Sequence, residues 1–114
     1  MEATAKIKYL RYSDRKLRLV ADLIRGKSVE ESFAMLGILK KTKKGALMME
    51  TALKSAVSNF QNSEEGAAIS KDAMTIKEVQ VMKGPMIKRI QPRAQGRAFR
   101  IQKKLSHVSI VIAN

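Results

Sequence analysis

The sequence predicts an α+β fold: a small three-stranded antiparallel sheet with three helices on one face and a long protruding β-hairpin. Residues 3–10 alternate as a strand does, residues 13–60 hold three segments with helical spacing, and residues 74–112 hold two further strand-like segments. Between those last two lies an acid-free stretch, residues 83–104. Because the chain has 114 residues, we expect one domain over residues 1–114, with residues 83–104 as an extended basic arm.

The first strand and the first helix are predicted from a change of periodicity near residue 13. One face of the strand carries Ala3, Ala5, Ile7 and Tyr9. Ser13 is then a good N-cap, and the apolar residues that follow have the three-and-four spacing of a helix stripe. That stripe consists of Leu17, Val20, Ala21 and Ile24, with Leu23 beside them. Gly26 should end the helix, because glycine adopts positive φ without strain.

Two more helices and two more strands complete the prediction. Residues 28–31 place Ser and Glu at capping-box spacing, so a second, short helix should begin there and end before Gly37. The stripe of a third helix of about five turns consists of Ala46, Met49, Leu53, Ala56, Val57 and Phe60. A strand starts near Met74, and a change of apolar parity predicts a bulge near Lys77 or Glu78. The last strand closes the sheet.

Positive charge is concentrated in two parts of the chain. The formal net charge is +13, from 23 Lys and Arg against 10 Asp and Glu. Eight basic residues precede residue 28, and eight lie in the arm: Lys83, Lys88, Arg89, Arg93, Arg97, Arg100, Lys103 and Lys104. A segment with so little apolar surface and so much like charge is either disordered or ordered against a partner of opposite charge. The arm therefore indicates nucleic-acid binding, with Arg guanidinium groups bonding phosphate oxygens in pairs.

The arm should have its tip at Arg93–Arg97, because equal legs counted from Val81 and Ser109 meet there. Pro85 and Pro92 cannot donate ladder hydrogen bonds, so we expect the legs to pair only in part. Ten residues in each leg, at about 3.3 Å per residue, would carry the tip roughly 30 Å beyond the body.

A second basic cluster lies where the first strand meets the first helix. It consists of Arg11, Tyr12, Arg15, Lys16 and Arg18. Its arginines would lie near one another if the helix begins at Asp14, and Tyr12 could stack or form a hydrogen bond. A solvent-facing helix side, with an ion pair such as Arg18 to Asp22, explains any one of these residues equally well. The cluster therefore supports nucleic-acid binding only in combination with the eight arm cations.

The composition offers little for catalysis or for metal binding. The chain has no cysteine, and its one histidine, His107, lies in an alternating strand with no acidic pair at a useful spacing. We expect no enzyme activity, no metal and no cofactor. The lack of cysteine suits a reducing compartment, and no apolar run approaches the ~20 residues that cross a bilayer. We expect a cytoplasmic protein that has no membrane partner.

Four segments of the chain resemble one protein family. They are residues 13–27 (SDRKLRLVADLIRGK), residues 53–59 (LKSAVSN), Gly84-Pro85 with Lys88-Arg89 and residues 92–98 (PRAQGRA), and Ser106-His107-Val108. In order and spacing they closely resemble the family of bacterial-type large ribosomal subunit protein twenty-two, over nearly the whole chain.

The resemblance implies a structural constituent of the large ribosomal subunit that binds large-subunit rRNA and aids early assembly. Its body would lie near the peptide exit, and its hairpin would line the exit tunnel. The residues facing the tunnel would be Lys88, Arg89, Pro92, Arg93, Gln95, Gly96 and Arg97. The implied partners are large-subunit rRNA, neighbouring ribosomal proteins and the nascent polypeptide, with the protein a monomer within the cytoplasmic ribosome.

Two departures from the family pattern alter the charge of the arm. Met82 and Lys83 stand where many members have acidic residues before the Gly-Pro, and Gln95 stands where many have a basic residue. The root of the arm is therefore more cationic and its tip less so.

A DNA-binding architectural protein with a basic β-arm is the alternative from another class. Such proteins dimerise through an apolar helix face and insert a wedge into the minor groove. Pro92 could be the wedge. In such a dimer, however, the cluster at residues 11–18 would lie away from the two symmetry-related arms. The two classes differ in whether structured RNA or duplex DNA binds more tightly.

Overall fold

The computed structural model describes residues 2–63, 67, 69–70, 73–92 and 98–114. The elements follow in the order β1 (Glu2–Leu10), α1 (Asp14–Ile24), α2 (Val29–Leu39), α3 (Lys44–Asn62), β2 (Thr75–Pro92) and β3 (Ala98–Ala113). The sheet is antiparallel with the strand order β1-β3-β2, so β3 is its central strand. The helices cover one face of this sheet, and the α+β prediction is confirmed.

The core lies between the helices and one face of the sheet. Every residue predicted for the stripes of α1 and α3 is buried, whereas Leu23, predicted beside the α1 stripe, is 40% exposed because it lies at the solvent side of the helix. β2 and β3 contribute six residues to the core, alternate ones except across the β2 bulge: Ile76, Val79, Val81, Val108, Ile110 and Ile112. Each fully buried side chain of this size stabilises the fold by about 1.5–3 kcal/mol relative to exposure. This packing holds the basic segments on a rigid body.

The helix boundaries agree with the sequence signals in part. Ser28 caps α2, since its hydroxyl accepts a hydrogen bond from the Glu31 N–H at 3.3 Å. Gly26 follows α1 with a φ of 79°, as predicted. The predicted end of α2 before Gly37 is wrong, because the helix continues to Leu39. Glycine permits a helix to end but does not force it to, and here the helical backbone hydrogen bonds continue past Gly37.

Two irregularities shape the sheet. A register shift between Ile76 and Glu78 confirms the bulge predicted in β2. A second shift, between Ile7 and Leu10 in β1, was not evident in the alternating sequence. It reverses the parity of the strand: Leu10 packs against the core, while Tyr9, predicted on the apolar face, is 63% exposed.

β2 and β3 continue beyond the body as a long hairpin. Their pairing runs from Met86 with Lys104 to Pro92 with Ala98. It is interrupted between Lys83 and Met86, as expected from Pro85, but it is not interrupted at Pro92. Proline is tolerated there because β2 is an edge strand, in which one row of N–H groups has no ladder partner.

The hairpin makes the molecule elongated. The chain measures 64 × 25 × 18 Å, and its Cα radius of gyration is 17.0 Å, against about 13 Å for a compact domain of this size. The predicted tip, Arg93–Arg97, lies outside the described residues.

Candidate nucleic-acid interface

The structure brings part of the β1–α1 cluster and part of the arm together. An open cleft of about 410 Å³ is lined by Arg11, Tyr12, Ser13, Lys16, Gln102, Lys103 and Lys104. We call it the basic cleft. It forms because β1 is hydrogen-bonded to β3, with Leu10 opposite Ser106, so the end of β1 meets the root of the arm. All the charged side chains among these lining residues are cationic, so the cleft has the positive potential that attracts anionic polymers.

Tyr12 is held in the basic cleft by two contacts with the body. Its carbonyl oxygen accepts a hydrogen bond of 2.6 Å from the hydroxyl of the fully buried Ser106. A Cβ at Gly45 would lie 2.9 Å from the Tyr12 ring, so glycine at the start of α3 provides the space that this ring occupies. The Lys16 ammonium lies 5.7 Å from the ring centroid, within cation–π range. The cleft therefore presents a fixed aromatic ring beside a cation.

Arg18 is partly committed to the fold. Its guanidinium pairs with Asp14 at 2.9 Å, and its Nε and Nη2 donate to the Val81 carbonyl at 3.4 Å. The ion pair suggested between Arg18 and Asp22 is not the one that forms, because Asp22 pairs instead with Arg25 at 2.6 Å. Arg18 therefore has fewer free donors for phosphate than Lys16 has.

Arg25 has a structural role that the sequence reasoning missed. Its Nη2 donates to the Val79 carbonyl at 2.8 Å, and Arg18 makes the equivalent contact two residues farther along β2. β2 is an edge strand, so its outward carbonyls need partners. No local sequence signal could have found these contacts, which join residues 54 and 63 positions apart.

The described cations of the arm are mostly exposed to solvent. Lys83, Lys88, Arg89 and Lys104 are exposed, and Lys103 is half-buried. Lys88 and Arg89 are consecutive residues of β2, so they project from opposite faces of the hairpin. The arm therefore presents positive charge on both faces.

The remaining predicted residues occupy different positions. Arg15 is exposed on α1. Arg100 lies in β3, and Pro92 ends β2. Arg93, Gln95, Gly96 and Arg97 lie outside the described residues.

One lysine that follows α2 is tied to a buried acid. Glu50, only 6% exposed, pairs with Lys54 at 3.1 Å and with Lys40 at 3.5 Å. The hydrogen bond from Lys54 lowers the pKa of Glu50 from its ordinary value, with help from the charge of Lys40 and against the opposing effect of burial. Lys40 thus serves the α2–α3 packing.

Other kinds of site find no support in the described ranges. No group of three or more His, Asp and Glu side chains there is arranged to hold a metal ion. None of the helices in the described part of the chain combines the length and apolarity needed to cross a bilayer.

Comparison with known proteins matches almost the entire chain to one family. Residues 5–113 match the family model of ribosomal protein L22p/L17e. "Large ribosomal subunit protein uL22" of Maridesulfovibrio salexigens is 50% identical over 113 residues, covering 98% of this chain and 97% of the relative. The proteins of the same name from Clostridium kluyveri and Thermotoga sp. (strain RQ2) are 45% and 46% identical; the matches cover 98% of this chain and 96% and 67% of those relatives. The matched range contains the basic cleft and both legs of the arm, and the chain belongs to the ribosomal protein L22p/L17e family.

Proposed function

We propose that this protein is a structural constituent of the large ribosomal subunit that binds large-subunit rRNA, aids subunit assembly and lines the peptide exit tunnel with its arm. One observation carries the proposal: the basic cleft joins two distant cationic segments at the root of a long hairpin. Membership of the ribosomal protein L22p/L17e family and the names of the relatives agree with it. The protein would act within the cytoplasmic ribosome.

The basic cleft would bind the sugar-phosphate backbone at the root of the arm. Lys16, Lys103 and Lys104 supply mobile ammonium groups, and Arg11 supplies a planar fork that bonds phosphate oxygens in pairs. Tyr12 offers a ring face beside the Lys16 ammonium, which suits an unstacked base next to a phosphate. Arg15 and Arg18 would extend this surface along α1.

The arm would thread between RNA segments, because its two charged faces can neutralise phosphate on both sides at once. Its RNA-binding cations would be Lys83, Lys88, Arg89, Arg93, Arg97, Arg100, Lys103 and Lys104. The surface facing the tunnel and the nascent polypeptide would consist of Lys88, Arg89, Pro92, Arg93, Gln95, Gly96 and Arg97. If six to eight cations contact phosphate, log affinity should fall against log salt with a slope of roughly −4 to −7.

The proposed role is that of a monomeric scaffold, without catalysis or cofactor. Its paired acids, among them Asp14, Asp22 and Glu50, lie in the body, while the arm sequence contains none. Body charges are thus partly compensated internally, and arm charges require an external anion. Neighbouring ribosomal proteins would contact the surfaces that RNA leaves free.

Competition binding tests this proposal against the DNA-binding alternative. Purified protein is titrated with a structured large-subunit rRNA fragment and with duplex DNA of equal phosphate content, at one fixed salt concentration. We expect the rRNA to compete more strongly and the protein to remain a monomer in sedimentation. Equal affinity for the two polymers, or a stable dimer on duplex DNA, would contradict the proposal.

A further inference from the structure

Tyr9 adopts a backbone conformation that aromatic residues rarely take. Its φ is 59°, in the left-handed region, and among the described non-glycine residues it alone has a positive φ. The cause is the bulge in β1: Ile7 pairs with Val108 and Leu10 with Ser106, so two residues oppose His107. The bulge turns the Tyr9 ring out of the apolar face and leaves it 63% exposed. Core packing therefore does not account for this ring.

His107 holds Tyr9 in this position. The Tyr9 N–H donates to His107 Nδ1 at 3.1 Å, and the two rings meet edge to face with centroids 5.0 Å apart at 88°. On the other side of the imidazole, a Cβ at Gly84 would lie 3.3 Å from Nε2. Glycine at that position leaves space for the histidine. The hydrogen bond thus holds the Tyr9 backbone and the edge-to-face contact holds its ring. Gly84 leaves room for the imidazole that makes both contacts.

The surroundings of Tyr9 are concave and cationic. A hollow of about 230 Å³ is lined by Lys6, Ile7, Lys8, Tyr9, Met82, His107 and Val108. Lys6 and Lys8 are exposed, as is Met82 at 44%. The lining contains no acid and shares no residue with the basic cleft. His107 and Met82 alternate with the buried Val108 and Val81, so they project from the sheet face opposite the helices.

We propose that this hollow binds an unpaired nucleobase of RNA, with Tyr9 as the stacking platform and Lys6 and Lys8 on the adjoining phosphates. The inference rests on the RNA-binding function proposed above and adds a second contact surface to it. Aromatic rings accept any base because every base has a π-face. Bases splayed from loops and bulges are the part of folded RNA that proteins reach in this way. A polarizable thioether at Met82 suits the edge of the same base.

Pre-organisation explains why the strained conformation is useful. A freely rotating tyrosine would lose conformational entropy on stacking, whereas the ring fixed by His107 has already lost it. His107 would be a positioning residue, since it acts on the base through Tyr9.

Three substitutions at Tyr9 test the proposal, with binding of a large-subunit rRNA fragment measured across a salt series. Tyr9→Phe keeps the ring and should bind within about twofold of the unmodified protein. Tyr9→Leu removes it and should weaken binding about 5- to 140-fold, the range for one stacked base. The slope of log affinity against log salt should not change, because no cation is lost. Ile38→Ala, at a residue 75% exposed on α2, is the matched control and should bind normally.

Tyr9→Gly separates stacking from folding. Glycine adopts a φ of 59° without strain, so this variant should be at least as heat-stable as the unmodified protein and should still lose rRNA affinity as Tyr9→Leu does. Normal rRNA affinity in Tyr9→Gly and Tyr9→Leu would overturn the proposal. This is the result expected if Tyr9 contacts a protein and not a base. An equal loss in Tyr9→Phe would also overturn it. If the unmodified protein fails to prefer rRNA over duplex DNA, the proposed function fails instead.

Discussion

Neutralising the arm side of the basic cleft should make RNA affinity less dependent on salt by a calculable amount. Lys103 and Lys104 line the cleft and lie outside the core, so Lys103→Gln with Lys104→Gln removes two charges while leaving the body packing intact. Each lost phosphate contact makes the slope of log affinity against log salt shallower by about 0.7 on single strands to 0.9 on duplex. The slope of the double variant should therefore be less negative by about 1.4–1.8. If the variant and the unmodified protein bind equally at 1 M salt, the variant should bind roughly 25- to 60-fold more weakly at 0.1 M salt.

The assay is fluorescence anisotropy of a labelled large-subunit rRNA fragment over a salt series. Lys41→Gln with Lys77→Gln is the matched control, because both lysines are exposed and neither lines the basic cleft. We expect the control to keep the slope of the unmodified protein. An equal decrease in the two double variants would mean that net charge, and not the cleft, sets the affinity. An unchanged slope in the cleft variant would refute the assignment of these lysines to phosphate.

Three further predictions concern the fold that supports the interface. Gly84→Ala should lower the melting temperature, because its Cβ would lie 2.9 Å from the backbone oxygen of Leu105; an unchanged thermal scan would contradict this. Phe60→Ala should reduce the free energy of unfolding by about 3–5 kcal/mol, since Phe60 is fully buried; chemical denaturation measures it, and a loss under about 1 kcal/mol would be inconsistent with that packing. Glu50 has a lowered pKa in the folded state, so it stabilises the fold above its ordinary value of 4.5 and this contribution is lost as pH falls below that value. Glu50→Gln should weaken the pH dependence of stability in that acid range, and an identical pH profile would count against the Lys54 contact.

The helices and the arm were predictable because their signals are local. The stripes of α1 and α3 repeat at the helical period, and all their predicted residues are buried. The bulge near Lys77 was visible as a change of apolar parity. The excess charge of residues 83–104 predicted an arm that needs an anionic partner, and four family-like segments predicted the family that the comparisons then established. The end of α2 was misjudged because glycine only permits a helix to stop.

The sequence by itself determined which segments form helices and strands and where the positive charge lies, since periodicity and composition act over a few neighbouring residues. Only the tertiary structure decided which of these segments meet. Tyr12 and Ser106 contact each other across 94 positions, and Arg18 bonds to Val81 because β2 is an edge strand beside α1. The β1 bulge that exposes Tyr9 likewise depends on the register between two strands far apart in the chain. Such contacts arise from packing and strand pairing, for which no local pattern carries a signal.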